Sequence, residues 1–231
     1  MGVFRTRPSA QADGQAIGPE RASAYSDAYV VPVGNGRGAL AEEGSYFTAN
    51  NATTATEVAG HAAPAIGEES TKPLVYLYNG GNKYITIDQL SLRVETAGAG
   101  ATDVYFTVAT TNELSRDSGG TELTVNSVRS DNPATSTATV YLGAVVTTPS
   151  AFKLVARTLV REQIEITEDR YYFQFGEPIV SGPAVVTTIS DIYRTLPPVV
   201  IAPGGEFLFA MIGPSESGNC TFEAMLGFWE R

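Results

Sequence analysis

Leu74-Val-Tyr-Leu-Tyr-Asn-Gly-Gly-Asn-Lys-Tyr-Ile-Thr-Ile-Asp-Gln-Leu-Ser-Leu-Arg-Val94 is the stretch of sequence that decides the fold. Its first part, Leu74–Tyr78, is a short apolar run rich in β-forming residues, which predicts a buried strand. The next four residues, Asn79–Asn82, contain two adjacent glycines. They predict a tight turn whose glycines adopt positive φ angles.

Beyond this turn, polar and apolar residues alternate, but the parity of the apolar set changes once. The apolar set is Ile85, Ile87, Leu90, Leu92 and Val94. Because a strand alternates its faces with a period of two, the change at Asp88–Gln89 would turn half of this set to solvent. A β-bulge or a strand break at that point keeps both halves facing the core.

Similar short alternating runs follow down to the C-terminus, separated by Gly, Pro, Ser and Asn. No window holds a helical apolar pattern longer than two turns, and Leu159–Asp169 fits a helix and a strand equally well. About ten short strands at this spacing predict an antiparallel β-sandwich resembling a jelly roll. We place this domain at residues 73–231.

Residues 1–72 differ from the rest because they are rich in Ala, Gly, Ser, Thr and Asn and carry only isolated large side chains. Such a segment buries too little apolar area to fold alone. It predicts an extended, mostly irregular N-terminal arm that orders against its own body or a neighbouring subunit; the alternative is a frayed terminus. The candidate intersubunit contacts are Phe4, Arg5, Arg7, Tyr29, Tyr46 and Phe47.

The 231 residues carry a net charge of −10, with 43% hydrophobic and 17% charged residues. This acidity argues against direct contact with nucleic acid or with an anionic membrane surface. No run of about 20 apolar residues exists to span a membrane. No apolar segment follows Arg5 and Arg7 to make a signal peptide, so we expect the protein to act where it is made.

The sequence offers few groups for catalysis or metal binding. His61 and Cys220 are its sole histidine and cysteine, so neither a zinc site nor a Ser-His-Asp triad is expected. Cys220 alternates with apolar residues and is predicted to be buried. The glycines of Gly34-Asn-Gly-Arg-Gly-Ala39 resemble a dinucleotide-binding loop, but no adequate strand and helix flank them, and we predict a flexible turn. We predict no catalytic residue, no cofactor and no metal.

Carboxylates and tyrosines keep other functions open. The acidic groups are predicted to be solvated faces, with calcium in loops left open; they are Glu42-Glu43, Glu68-Glu69, Glu165, Glu168-Asp169 and Glu177. Tyrosine rings on a sandwich are able to form sugar-stacking platforms, or to fill cores and interfaces. The candidates are Tyr76, Tyr78, Tyr84, Tyr105, Tyr141, Tyr171, Tyr172 and Tyr193.

Three features together resemble structural proteins of tailed-phage virions, in particular jelly-roll decoration (cement) proteins of the capsid. The first is the quoted stretch continued through Leu90–Gly98, and the second is Gly205–Gly213 followed by Phe222–Arg231. The third is the polar arm before a compact β domain. The resemblance lies in a pattern of strands and turns over roughly residues 73–231.

The resemblance implies a homotrimer that is assembled in the host cytoplasm and sits on the outer capsid surface of the virion. There it would clamp neighbouring major capsid proteins, with no catalytic residues. The alternative function is a carbohydrate- or receptor-binding sandwich of a fibre or tail. An enzyme, such as a sandwich glycosidase with two acids in a cleft, is the third hypothesis.

Overall fold

A computed structural model describes most of the predicted β domain and short pieces of the N-terminal region. The described residues are 4–5, 21–22, 27–29, 36–50, 58–59, 72–96, 104–114, 116–131, 135–146, 153–161, 169–176, 191–212 and 221–231. The chain divides into two compact units, Met1–Ala39 and Leu40–Arg231. We call the second the sandwich unit.

The first unit contains a small antiparallel sheet of three short strands. These strands are β1 (Phe4–Arg5), β2 (Arg21–Ala22) and β3 (Asp27–Tyr29), with β3 in the middle. A helix, α1 (Gly36–Glu43), spans the division between the units.

The sandwich unit is all β and consists of two multi-stranded sheets. Its strands are β4 (Tyr46–Asn50), β5 (Val58–Ala59), β6 (Val75–Asn79), β7 (Ile85–Thr96), β8 (Val104–Thr111), β9 (Arg116–Glu122), β10 (Thr124–Ser127), β11 (Ala138–Val146), β12 (Lys153–Arg161), β13 (Arg170–Phe175), β14 (Asp191–Leu196), β15 (Val199–Ile201), β16 (Glu206–Ile212) and β17 (Thr221–Glu230). The eight-stranded sheet has the order β10-β4-β17-β7-β13-β14, with β15 also paired to β7 and β5 to β17. The six-stranded sheet has the order β12-β8-β16-β6-β11-β9.

The strand order interleaves early and late strands in the manner of a jelly roll. The last strand, β17, lies between β4 and β7, and the strand before it, β16, lies between β6 and β8 in the other sheet. Strands β12 and β13 then flank β8 and β7 on their free sides. The predicted jelly-roll-like sandwich is therefore confirmed. One pair departs from the predicted antiparallel arrangement, because the edge strand β14 runs parallel to β13.

Aromatic side chains from both sheets meet between the layers. Phe106 of β8 lies at ring-centroid distances of 5.1 Å from Phe173 and 6.4 Å from Phe222, which belong to the opposite sheet. Phe175 and Phe207 make a second contact across the layers at 5.8 Å. Such edge-to-face contacts fill the core with large apolar area and fix the two sheets face to face.

The parity change in β7 is resolved by a β-bulge. Gly227 and Phe228 are consecutive in β17, yet they pair with Gln89 and Ile87, which leaves Asp88 as the extra residue of β7. Strand β7 therefore stays continuous while its apolar residues on both sides of Asp88 face the core. The predicted bulge is confirmed.

The Asn79–Asn82 turn differs from its prediction in the role of its glycines. Neither Gly80 nor Gly81 has a positive φ angle. Both lie against Thr137 instead: a Cβ on Gly80 would lie 3.1 Å from the Thr137 carbonyl oxygen, and one on Gly81 would overlap the Thr137 hydroxyl. The turn therefore needs glycine for close packing and not for a left-handed backbone.

The sandwich unit begins earlier in the chain than predicted. It starts at Leu40, whereas the sequence placed the boundary between residues 72 and 73. The predicted flexible turn at Gly34–Ala39 is wrong from Gly36 onward, where α1 begins. The helix ends in a Schellman motif, in which Gly44 has a φ angle of 74° and the amides of Gly44 and Ser45 donate to earlier carbonyls.

Candidate functional site

The predicted intersubunit residues fall into two groups. Phe4, Arg5 and Tyr29 lie on β1 and β3 of the first unit, where Phe4 pairs with Ala28. Arg7 lies outside the described residues. For Phe4, Arg5, Arg7 and Tyr29, contact with a neighbouring subunit stays a prediction. The sole histidine and cysteine, His61 and Cys220, also lie outside the described residues.

Tyr46 and Phe47 belong to the sandwich unit and not to an arm. They lie on β4, which pairs with β10 and β17 inside the eight-stranded sheet. Phe47 is 3% exposed and stacks on Phe228, and Tyr46 is 7% exposed and lies beside Trp229. Both side chains therefore pack against residues of this same chain.

Several carboxylates are buried and bonded to hydroxyl groups. The Tyr46 hydroxyl donates to Asp88 Oδ2 at 2.6 Å, and the Tyr76 hydroxyl donates to Glu206 Oε1 at 2.5 Å. Burial, together with the hydrogen bond to Glu206, raises the pKa of Tyr76 above its usual value. Asp169 is also buried, so the prediction of a solvated acidic face is wrong at that residue.

An open arrangement of polar and aromatic groups lies on the outer face of the eight-stranded sheet. Two adjoining cavities of about 390 Å³ and 180 Å³ share Ser91, Tyr172 and Met225. We call this combined site the outer groove; its outward side chains are Asn50, Gln89, Ser91, Arg93, Arg170, Tyr172, Gln174, Tyr193, Glu223 and Met225.

The middle of the outer groove is a row of side chains that crosses five strands. Strand pairing places the row in the order Asn50, Met225, Ser91, Tyr172 and Tyr193. We call it the notch row, because Ser91 is small and stands between two large neighbours. Strands two apart in a sheet are separated by about 10 Å, which leaves a slot above Ser91 between Met225 and Tyr172.

The ring of Tyr172 forms one wall of this slot. It stacks on Tyr193 with ring centroids 4.7 Å apart and planes 13° apart, a separation equal to the spacing of adjacent strands. One ring face is therefore covered by Tyr193 on β14. The opposite face is directed over Ser91 on β7, into the slot.

Polar side chains lie along the two sides of the notch row. On one side Gln89 and Gln174 are directly opposite each other on β7 and β13. On the other side Arg93 is opposite Arg170 on β13 and opposite Glu223 on β17. Arg93 forms an ion pair with Glu95 and a second one with Glu223, with 3.5 Å between Nε and Oε2.

Sequence reasoning named Tyr172 and Tyr193 as possible sugar platforms but did not find the groove. The signal for Tyr172 was present, because Tyr171 and Phe173 point to the core and alternation turns Tyr172 outward. The signal for the slot was not present. It depends on the pairing of Tyr172 with Ser91, which lies 81 positions earlier in the chain.

Among the described residues, no group of three or more His, Cys, Asp and Glu side chains is placed to hold a metal ion. The same residues contain no helix with the length and apolar character needed to cross a membrane. Comparisons with protein-family models, with curated proteins and with solved structures find no match to this chain. The resemblance to phage proteins therefore stays a hypothesis.

Proposed function

We propose that this chain is a non-enzymatic structural protein of a tailed-phage virion, a capsid decoration protein that clamps neighbouring major capsid proteins. The observation that carries the proposal is the combination of two units in one chain. The sandwich unit has the interleaved strand order of a jelly roll, and Met1–Ala39 forms a compact unit of its own. A body and a separate N-terminal unit offer two contact surfaces for two neighbours.

Two linked contacts explain how a small protein stabilises a large shell. Once one surface is bound, the second binds as an intramolecular event at high effective concentration. A protein that binds the assembled shell and not its separate subunits shifts the equilibrium toward the shell. The proposed site of action is the outer capsid surface, with assembly in the host cytoplasm and the homotrimer as the unit.

The charge of the chain fits this location. A net charge of −10 disfavours contact with the packaged nucleic acid, whose phosphates require a basic surface. Attraction to basic patches of a shell protein would instead speed association and weaken with added salt.

The test combines light scattering of the purified protein with cosedimentation on expanded capsids that lack it. A trimer that cosediments with the capsids supports the proposal. A monomer in solution that still binds capsids keeps the clamp and assigns trimerisation to the shell. A chain that ignores capsids overturns the proposal.

Two truncations separate the roles of the units. Deletion of residues 1–35 ends before α1 and leaves the whole sandwich unit, so we expect normal folding and weaker capsid binding. Deletion of residues 1–48 also removes Tyr46, Phe47 and Thr48 from β4, an internal strand, so we expect loss of the folded state. Full capsid binding after deletion of residues 1–35 would contradict the two-surface clamp.

The alternative, a fibre- or tail-associated carbohydrate- or receptor-binding module, is favoured by one specific observation. That hypothesis requires aromatic rings gathered in a concavity, and Tyr172 and Tyr193 stack beside the outer groove. A decoration protein on the capsid surface would also expose such a groove to the surroundings, so the two functions are compatible.

A further inference from the structure

The outer groove has the three kinds of surface that a sugar recognises. A pyranose has a face of C–H groups, a rim of hydroxyl groups and, in acidic sugars, a carboxylate. The groove presents an aromatic face, paired side-chain amides and, beside the carboxylate of Glu223, a pair of guanidinium groups. We propose that the outer groove binds a saccharide that carries a carboxylate.

The slot above Ser91 fits one ring. Van der Waals contact requires about 3.5–4.0 Å on each side of an inserted ring. The two walls, Tyr172 and Met225, stand on strands about 10 Å apart, so a single ring contacts both. The negative face of the Tyr172 ring attracts the C–H face of a sugar, and Met225 adapts its shape to the other side.

The amide pair suits the hydroxyl rim. Gln89 and Gln174 lie opposite each other next to the slot, and each amide offers both donors and an acceptor. A hydroxyl group is both donor and acceptor, so these amides satisfy it in either direction. Asn50 supplies a third amide at the Met225 side of the larger cavity.

The arginine pair points to a negative charge on the ligand. Arg93 and Arg170 are directly opposite on adjacent strands, and like charges in that position repel each other. Glu95 and Glu223 compensate Arg93. These two arginines and two glutamates carry no net charge together, but the exposed Arg170 takes no part in the ion pairs of Arg93. A carboxylate bound at Arg170 would form a charge-assisted, bidentate contact.

The size and charge of the groove favour a saccharide over other anionic ligands. The larger cavity, about 390 Å³, lies near the lower end of the range of about 300–1,000 Å³ for small-ligand sites. The net charge of −10 repels a polyanion such as nucleic acid at long range, whereas a single carboxylate is affected much less.

The experiment measures binding of the full chain to two matched pairs of probes by calorimetry. The pairs are galacturonic acid and sialyllactose, each with the methyl ester of its carboxylate. We expect saturable binding of at least one acidic probe and about tenfold weaker binding of its neutral counterpart, from loss of the charge-assisted contact. Absence of binding to all four probes overturns the proposal.

Variants assign the binding to the groove. Tyr172→Ala is expected to raise Kd about fivefold to tenfold, and Ser91→Met, which fills the slot, to abolish binding. Arg170→Gln is expected to remove the difference between the acid and its ester. Tyr105→Ala is the matched control, because Tyr105 lies on β8 of the other sheet under Arg157 and should leave Kd unchanged.

Two results would count against the assignment even if a sugar binds. Equal affinity for acid and ester overturns the role of the arginine pair. Equal losses in Tyr172→Ala and Tyr105→Ala, or unchanged binding by Ser91→Met, overturn the groove as the site. Failure of this proposal leaves the capsid clamp untouched, since that function is tested on capsids without a sugar.

Discussion

The outer faces of the two sheets each carry a row of side chains that contains two tyrosines, but one row is largely buried and the other is partly exposed. On the six-stranded sheet, strand pairing aligns Tyr141, Tyr76, Leu208 and Ala109, which we call the closed row. In this row Tyr76, Leu208 and Ala109 are at most 3% exposed. Every described side chain of the notch row on the eight-stranded sheet is partly exposed.

The difference follows from the sequences of the last two strands. Strand β16 has apolar residues on both of its faces, and Glu206–Met211 are all buried. Strand β17 alternates, with Phe222, Ala224 and Leu226 buried and the residues between them partly exposed. A strand buried on both faces contributes to stability on both, whereas an alternating strand leaves one face available for a ligand.

The strongest test of this comparison is the same substitution in both rows. Tyr76→Ala is expected to lower the free energy of unfolding by about 3–5 kcal/mol, because it leaves a cavity and removes a hydrogen bond from Glu206. Tyr172→Ala is expected to lower it by less than about 1.5 kcal/mol, the value of an aromatic pair. Urea denaturation measures both, and equal losses would contradict the difference between the rows.

A smaller change isolates the hydroxyl group of Tyr76. Tyr76→Phe keeps the ring but leaves the buried Glu206 without this donor, so we expect a loss of about 1–3 kcal/mol in the free energy of unfolding. The control is Tyr105→Phe, at a partly exposed position of the same sheet. A loss no larger than that of the control would show that the hydrogen bond contributes little.

The raised pKa of Tyr76 makes stability depend on alkaline pH. Tyr76 stays protonated in the folded state above the pH at which an unfolded tyrosine ionises, about 10. Its contribution is therefore complete below pH 10 and is lost as pH rises further, by up to about 1.4 kcal/mol per pH unit. Urea midpoints at pH 8 to 11 should fall less steeply for Tyr76→Phe than for the wild type; parallel curves would contradict this.

The closed row was easier to predict from sequence than the notch row, for a physical reason. The apolar run of β16 indicates burial without reference to any other strand, and the parity change at Asp88 predicts its bulge locally. The slot over Ser91 depends on which strands are neighbours and in which register, which is set by contacts distant in sequence.

The strands that sequence reasoning missed lie mainly at edges. Strand β9, Arg116–Glu122, has no apolar residue, and its Gly119 and Gly120 take positive φ angles. It is held by pairing with β11 and by Arg116, whose guanidinium lies 3.7 Å from the centre of the Tyr141 ring. An edge strand with little to bury carries no alternation to detect.

The smallest expected effect concerns the polar contacts on the outer face of the eight-stranded sheet. Glu223→Gln removes the ion pair with Arg93, whose side chains are 31% and 37% exposed, so the free energy of unfolding should change by less than about 1 kcal/mol. This change should shrink between 0.1 M and 1 M salt, as the Debye length falls from about 10 Å to about 3 Å. The loss in Tyr76→Phe should persist, since its hydrogen bond is buried. A Glu223→Gln loss that equals the Tyr76→Phe loss and resists salt would contradict this expectation. It would mean that the outer face of the eight-stranded sheet also contributes to stability, and would remove the reason for treating the outer groove as a binding site.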